Sequence, residues 1–313
     1  MKQENSCVDA AVVGGVNIDI GGFSAAPLRP RDSNPGRVRL SLGGVGRNIA
    51  HNLALLGLRV RLLTALGGDS FADSIAASCT AVGIDLSMSL HVPEEPSSSY
   101  LFITGPEGDM SLAVSDMEIC RCLTPAVLAA RLDALREARA VVLDTNLPAE
   151  SIVWLCGQAS APLFADPVSA AKAEKLRPVL GKLHTLKPNR QEAELLSGVT
   201  IKDERSLNRA ADALLETGLQ RLYLSLGAEG LLAADANSRL RLPAPPGRVV
   251  NTTGCGDAFM AALVWAFLQD ASLAESAHAG LAAAAIAMAG EDTINPALCE
   301  AALCAEMKKP GVL

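Results

Sequence analysis

The chain is poor in aromatic residues, which make up only 3% of its 313 residues. Its core must therefore be aliphatic, and a wall of stacked rings for a large purine is disfavoured, with Phe23, Tyr100 and Phe102 left as the candidates to form one. Histidine is scarce too, at four. The eight cysteines (Cys7, Cys79, Cys120, Cys122, Cys156, Cys255, Cys299 and Cys304) are scattered. The closest pairs, Cys120 with Cys122 and Cys299 with Cys304, lack zinc-site spacing. A chain this long needs no disulfide staples, so reduced cytosolic thiols are expected. Positive charge is in deficit: 27 Lys and Arg against 34 Asp and Glu leave −7 at pH 7. That balance argues against a broad nucleic-acid footprint. The most apolar stretch, 277–289, is alanine-dominated and too short to span a bilayer. Residues 1–9 are polar and carry no targeting pattern. The reading is of a soluble, cytoplasmic protein with neither membrane nor nucleic acid as partner.

What is present is apolar mass in a regular rhythm. Half of the residues are hydrophobic, enough for a sizeable core. Short strand-like runs, at 10–16, 59–66, 140–143, 163–166, 184–186, 221–226 and 231–234, alternate with helical patterns at 48–56, 69–82, 124–138, 151–159, 190–197 and 203–216. Two longer helices follow, near 256–268 and 272–289. This alternation predicts an α/β fold with a mostly parallel central sheet joined by right-handed crossovers. Two segments break the rhythm, about 20–42 and about 86–118. Their alternating runs, Arg37–Ser41 and Ser97–Ile103, predict antiparallel strands outside the main sheet, a small lid over one edge of a site. No internal repeat or linker divides the chain, so 1–313 reads as a single domain with that lid.

Ligands of open α/β sheets bind beyond the carboxyl ends of the strands, and three polar clusters fall at such ends. The first is Thr252-Thr253-Gly254-Cys255-Gly256-Asp257, which runs into the helix beginning at Ala258. Its glycines let backbone approach a ligand, and the helix start offers N–H groups and a positive dipole end to a phosphate. Asp257 there is either a helix cap or a general base. The second, Gly43-Gly44-Val45-Gly46-Arg47-Asn48, is also a glycine turn into a helix, but it lacks the Gly-Lys-Ser/Thr of a P-loop. The third places Asn17 and Asp19 after the first strand, as turn residues or as partners for sugar hydroxyls.

In combination these clusters resemble the ribokinase-like (PfkB) family of sugar and nucleoside kinases: the turn from Gly43 to Asn48 resembles its first signature and Thr252 to Asp257 its second, in their usual order. Asn189-Arg190-Gln191-Glu192 resembles that family's magnesium motif, and Ser225-Leu226-Gly227-Ala228-Glu229-Gly230 its nucleotide-facing strand and turn. The resemblance implies a three-layer α/β/α domain that transfers the γ-phosphoryl of ATP to a primary hydroxyl with Mg2+. It makes Asp257 the base and Gly254, Cys255 and Gly256 the anion hole. Asn17, Asp19, Gly43, Gly44 and Asn48 would hold hydroxyls, with Asn146 beside them. Asn189 and Glu192 would orient magnesium, although the same pair has the form of a capping box. Asn189, Thr252, Ser225, Gly227 and Gly230 would face the nucleotide. Asn251 stands where the family usually has Asp beside a monovalent-cation site, which weakens the case for K+.

Within the family, four details are similar to pseudouridine kinases: Arg47 before Asn48, Asn251, the 108–119 segment with Asp116-Met117, and Asp166-Pro167-Val168-Ser169 leading to Lys172. Asp116, Ser33 and Asn34 are the candidates to read the base, and Lys172 is a candidate for a phosphate or a base carbonyl. Alternatives are another sugar or nucleoside kinase, or a non-catalytic binding protein. Arg29, Arg31, Arg37 and Arg39 keep a sugar-phosphate substrate open. Strand edges on the lid need cover, which suggests a homodimer through the lid.

Overall fold

The computed structural model describes residues 8–107, 109–245 and 249–309. Cys7 and Gly108, both noted in the sequence, lie outside them. The chain opens with strand β1 (Val8–Val13), then β2 (Asn17–Ser24) and β3 (Gly36–Gly43), and enters helix α1 (Val45–Leu55). Strands β4 (Val60–Leu63) and β5 (Ala65–Leu66), helix α2 (Ser70–Ala81), and strands β6 (Leu90–His91), β7 (Ser99–Thr104) and β8 (Met110–Asp116) follow. Helices α3 (Pro125–Ala129) and α4 (Leu132–Arg136) lead to β9 (Ala138–Asp144), α5 (Ala149–Gln158), β10 (Leu163–Asp166), α6 (Ala170–Ala173) and β11 (Thr185–Leu186). The second half holds α7 (Arg190–Ser197), α8 (Glu204–Leu215), β12 (Arg221–Ser225), β13 (Leu231–Asp235) and β14 (Arg239–Leu242), then α9 (Cys255–Leu268), α10 (Leu273–Met288) and α11 (Glu300–Met307).

The main sheet runs β14-β13-β12-β11-β10-β9-β1-β4. It is parallel from β4 to β12, and β13 and β14 return antiparallel. Strand β1 has β4 on one side and β9 on the other, so the strand order reverses there. That reversal opens a crevice at the carboxyl ends of β1 and β9. Both faces of the sheet are buried, which explains the unbroken apolar strands. Val12, Val142 and Phe164 pack toward α1, α9 and α10, while Val13, Leu143 and Ala165 pack toward the helices between α3 and α8. The expected three layers are present.

Alanine does here what aromatic residues do in other cores. Helices α9 and α10 meet through Ala261, Ala262, Ala279, Ala282 and Ala283, all fully buried. Gly280 lies so close to Phe259 that an added Cβ would meet its ring at 2.5 Å. Among the described residues, no helix is long and apolar enough to cross a membrane.

The segments that broke the rhythm form a separate sheet, ordered β3-β2-β7-β8. The sequence suggested antiparallel strands throughout, but β2 and β7 pair in parallel. The reason is the long intervening excursion through α1, β4 and α2, which returns the chain in the same direction. The expected boundaries also shift. The sheet begins at Asn17, and Leu90–His91 pairs with Ala65–Leu66 instead of joining it. The expected helix at 124–138 is broken into α3 and α4.

Gly280→Leu forces a side chain into a filled helix contact and should cost about 1–3 kcal/mol. Urea unfolding checks it: the midpoint falls, and an unchanged midpoint contradicts the close α9–α10 packing.

Candidate active site

Gly254 immediately precedes helix α9, and its φ of 81° is left-handed. A side chain there would run into the carbonyl oxygen of Thr293, so only glycine makes this turn without strain. No side chain caps the helix. The Cys255 N–H makes a long bond, 3.4 Å, to the Thr252 carbonyl. An uncapped helix start presents N–H groups and the positive dipole end to an anion. The Cys255 thiol lies 3.8 Å from the Asn251 carbonyl oxygen, and burial pushes its pKa up to about 11. It is a packing group rather than a ready nucleophile.

Asp257 sits in the first turn of α9 with its carboxylate buried. Asn48 Nδ2 donates to Asp257 Oδ2 at 2.8 Å. This bond joins the two glycine turns, which are 209 residues apart. Arg47 fixes the direction of the Asn48 amide. Its guanidinium donates to Asn48 Oδ1 at 3.1 Å and to the Leu42 carbonyl at 3.1 Å. A guanidinium only donates, so the amide oxygen must face Arg47 and the nitrogen must face Asp257. Burial pushes the Asp257 pKa up to about 7, helped by Asp166 and Asp144, while Asn48 and Lys187 pull it down. A carboxylate poised near neutrality can accept a proton and release it again.

Behind Asp257 lies a buried ionic cluster. Asp166, ending β10, pairs with Lys187, just past β11, at 3.1 Å. The Lys187 ammonium stands 3.2 Å from where a Cβ on Gly256 would lie. Burial alone would discharge Lys187, but Asp166, Glu192 and Asp257 hold its pKa above the ordinary lysine value. Asn189 and Glu192 form a full capping box for α7: Glu192 N donates to Asn189 Oδ1 at 3.0 Å, and Asn189 N to Glu192 Oε2 at 2.8 Å. Burial, with Asp166 nearby, raises the pKa of Glu192. Among the described residues, no three Asp, Glu, His or Cys side chains converge to grip a metal directly. What does fit a divalent cation is charge. Asp166, Glu192 and Asp257 oppose one lysine, a surplus suited to a hydrated magnesium held through water.

On the other side of Asp257 opens a cleft of ≈ 1110 Å³, lined by Asn17, Asp19, Gly44, Asn48, Asn146, Lys172, Gly254 and Asp257. Asn17 Nδ2 donates to Asp19 Oδ1 at 2.6 Å. Gly43 lies behind, pressed on the Asp19 carboxylate. Lys172 Nζ donates to Asn146 Oδ1 at 2.6 Å, so the amide nitrogen of Asn146 is the end left for a ligand. Asp144 organises this wall. Its fully buried carboxylate accepts from the N–H groups of Gly15 (2.8 Å), Gly46 (2.9 Å) and Asn146 (2.8 Å). It thereby caps α1 from a distant strand and ties three loops together, while burial raises its pKa.

The four-stranded sheet covers the cleft with one face, which register sets. Asp19 pairs with Ser41 and Tyr100, and Tyr100 with Ser115. That face brings Phe23, Tyr100, Phe102 and Arg39 to the cleft. Phe23 and Phe102 meet edge to face at 5.8 Å, and Arg39 lies 5.8 Å over the Phe23 ring. Few as the chain's aromatic residues are, three of the ten line the cleft. Asp116 is a correction. It pairs with Ser99 on the opposite face and is exposed, so it does not line the cleft, while its neighbours Ser115 and Met117 do. Ser33 and Asn34 do not line it either; Asn34 Oδ1 accepts from Arg29 N in an exposed loop. Ser225 is bridged to Asn189, with its N–H on the Pro188 carbonyl at 2.9 Å. Ser225, with the turn of Gly227 and Gly230, therefore belongs to the Asn189 side of α9. Sequence reading gave no role to Asp144, Arg47 or Lys187. Arg47 entered only as part of the family resemblance, and the one visible signal of Asp144 and Lys187 was position at or just past a strand end.

This arrangement of a central sheet, a cover sheet and an acidic residue under a helix start defines a class. The chain belongs to the pfkB family of carbohydrate kinases, whose pattern matches residues 8–299. It is thus a phosphotransferase of the sugar and nucleoside kinase kind. Among individual proteins, it is 39% identical to the pseudouridine kinase of Escherichia coli (strain K12) over 289 residues, 92% of each chain. It is 28% identical to the guanosine-inosine kinase of Exiguobacterium acetylicum, over 93% of this chain and 98% of that one. A carbohydrate kinase from Agrobacterium tumefaciens superposes with a TM-score of 0.84 at 29% identity, covering 96% and 97% of the two chains. Arabidopsis thaliana ribokinase complexed with ribose and ATP shares the fold, with a TM-score of 0.85 at 21% identity over 97% and 100%.

Asn48→Ala removes a hydrogen bond that favours the charged form of Asp257, so its pKa rises above about 7. The acid limb of kcat/KM for phosphoryl transfer should move to higher pH, with activity at pH 7 partly recovered in alkaline buffer. A limb that stays in place contradicts the coupling.

Proposed function

We propose that this protein transfers the γ-phosphoryl of ATP to the 5′-hydroxyl of pseudouridine, giving pseudouridine 5′-phosphate and ADP. The observation that carries the reading is Asp257, a buried carboxylate with pKa near 7, set between an uncapped helix start and a cleft of hydroxyl partners. The identity to a pseudouridine kinase over 92% of both chains supports the substrate. Asn17, Asp19 and Asn48 hold ribose hydroxyls, with Gly43 and Gly44 making room. Asp257 takes the proton from the 5′-oxygen as that oxygen bonds to the γ-phosphorus and the bond to the β-phosphate oxygen breaks. The backbone around Gly254, Cys255 and Gly256 faces the charge on the transferred group, and Lys187 adds a fixed positive charge. ATP lies on the Asn189 side, along Thr252, Ser225, Gly227 and Gly230. Magnesium, held through water by Glu192 and Asn189 with Asp166 nearby, would neutralise phosphate charge there.

For the base, the locked donor end of Asn146 suits a carbonyl oxygen. The additional ring N–H of pseudouracil needs an acceptor, and Ser115 or Thr104 on the cleft face replaces Asp116 in that role. A site that pairs such a donor rejects analogues lacking it. A second reading, a purine nucleoside kinase, draws on the cleft's size and its three rings. The whole chain acts as one domain, with 17–43 and 99–116 as lid. The outward face of that lid leaves Val38, Leu112 and Val114 exposed, at 73%, 62% and 58%. A second copy covering them would make a homodimer, which light scattering tests.

Purified protein should consume ATP faster with pseudouridine than with uridine, inosine, ribose or fructose. Equal or better turnover of any of those overturns the substrate. Lys172→Met frees Asn146 to rotate and should raise KM for pseudouridine while changing kcat less; an unchanged KM removes Lys172 from recognition.

Asp257→Asn should retain ATP binding and lose at least ~100-fold in kcat. The same variant has a stability signature. The Asp257 pKa is raised from 3.8 to about 7 on folding, so the folded state holds this proton more tightly. The stability it contributes is full below about pH 4 and is lost as pH rises through about 7. Melting curves should therefore show the variant gaining on the native protein as pH rises from 4 to 8. No gain contradicts the buried-carboxylate assignment.

A further inference from the structure

The turn before α9 is held by the last residue of α10 and the segment that follows it, and Asn251 is the link. Val250 N and Asn251 N donate to the Met288 carbonyl at 2.9 and 3.3 Å. Asn251 Nδ2 donates to the Glu291 carbonyl at 3.0 Å, and Asn251 Oδ1 accepts from Thr253 N at 2.9 Å. Both partners force the same amide orientation, because a carbonyl only accepts and an N–H only donates. The Asn251 carbonyl takes the Cys255 thiol, at 3.8 Å. The Met288 carbonyl therefore carries two donors from the protein, and the Glu291 and Asn251 carbonyls one each. The family resemblance implies a monovalent cation here, which needs carbonyl lone pairs converging with an anionic side chain. These residues do not fit one. The Nδ2 end of the amide carries partial positive charge and lies against the Glu291 oxygen that a cation would use.

We propose that Asn251 does internally the work of that cation, tying the phosphate-facing turn to the 288–293 segment so that this kinase needs no potassium. The amide donor bridges two stretches of backbone that an acidic residue could join only with an ion between them. Aspartate at 251 would place a carboxylate oxygen about 3 Å from the Glu291 carbonyl oxygen, a repulsive contact that a cation relieves. Asn251→Asp should thus create a potassium requirement that the native protein lacks. The proposal concerns a positioning residue. It rests on the nucleotide use read above only for one of its two readouts.

The test compares native protein and Asn251→Asp in KCl and in choline chloride at equal ionic strength, reading melting temperature and ADP affinity. The native protein should melt at the same temperature in both salts and bind ADP within about twofold. Asn251→Asp should melt lower and bind ADP about tenfold more weakly in choline, recovering in KCl, in line with loss of one hydrogen bond and a repulsive contact in its place. The proposal is overturned if potassium stabilises the native protein or tightens its ADP binding, or if Asn251→Asp responds no more to potassium than the native protein does. Should neither protein bind ADP in either salt, the nucleotide reading fails, and the melting curves still decide the cation question. Should the variant not fold, the native arm decides it alone.

Discussion

The hydrogen bond from Asn48 to Asp257 is the constraint on which the site depends. It joins the start of α1 to the start of α9, and with them the two glycine turns that border the cleft. Arg47 gives it direction. Without a donor-only group on the amide oxygen, the Asn48 side chain could turn its oxygen toward Asp257 and repel the carboxylate. The chain Arg47–Asn48–Asp257 is therefore a polarity relay in which each member allows one orientation of the next. Its consequence is chemical: Asp257 is buried enough to hold a proton near neutrality, yet supported enough to ionise.

The same region concentrates the molecule's least comfortable groups. Asp144, Asp166, Glu192 and Asp257 are all buried, with Lys187 the buried ammonium among them. Asp144 is made tolerable by three backbone N–H donors and Asp166 by an ion pair at 3.1 Å. Asp257 keeps much of its cost, which shows as a raised pKa. Active sites commonly sacrifice stability for poised charge in this way. The alanine-rich α9–α10 contact directly behind supplies the rigid backing.

Much of this was legible in the sequence. The strand–helix rhythm and the two glycine turns into helices located the site, because both follow from local chemistry. What was not legible depends on long-range register. Asp116 was expected over the base, but one residue of alternation puts Ser115 and Met117 inward and Asp116 outward. The parallel β2–β7 pairing needed the path of α1 and β4 to be known. Low aromatic content weighed against a stacking wall but left Phe23, Tyr100 and Phe102 as candidates, since composition cannot say that the three gather on one sheet face. Asp144 resembled any strand-end residue until its three backbone donors, drawn from two distant loops and its own turn, were in place.

The central claim is that Asp257 titrates near neutrality because it is buried and oriented by Asn48. Carboxyl carbon NMR on 13C-aspartate-labelled protein tests it directly, with the Asp257 signal identified by its absence from Asp257→Asn. The account predicts a midpoint near 7 for that resonance. A midpoint close to 4, the range of an ordinary exposed aspartate, would contradict it.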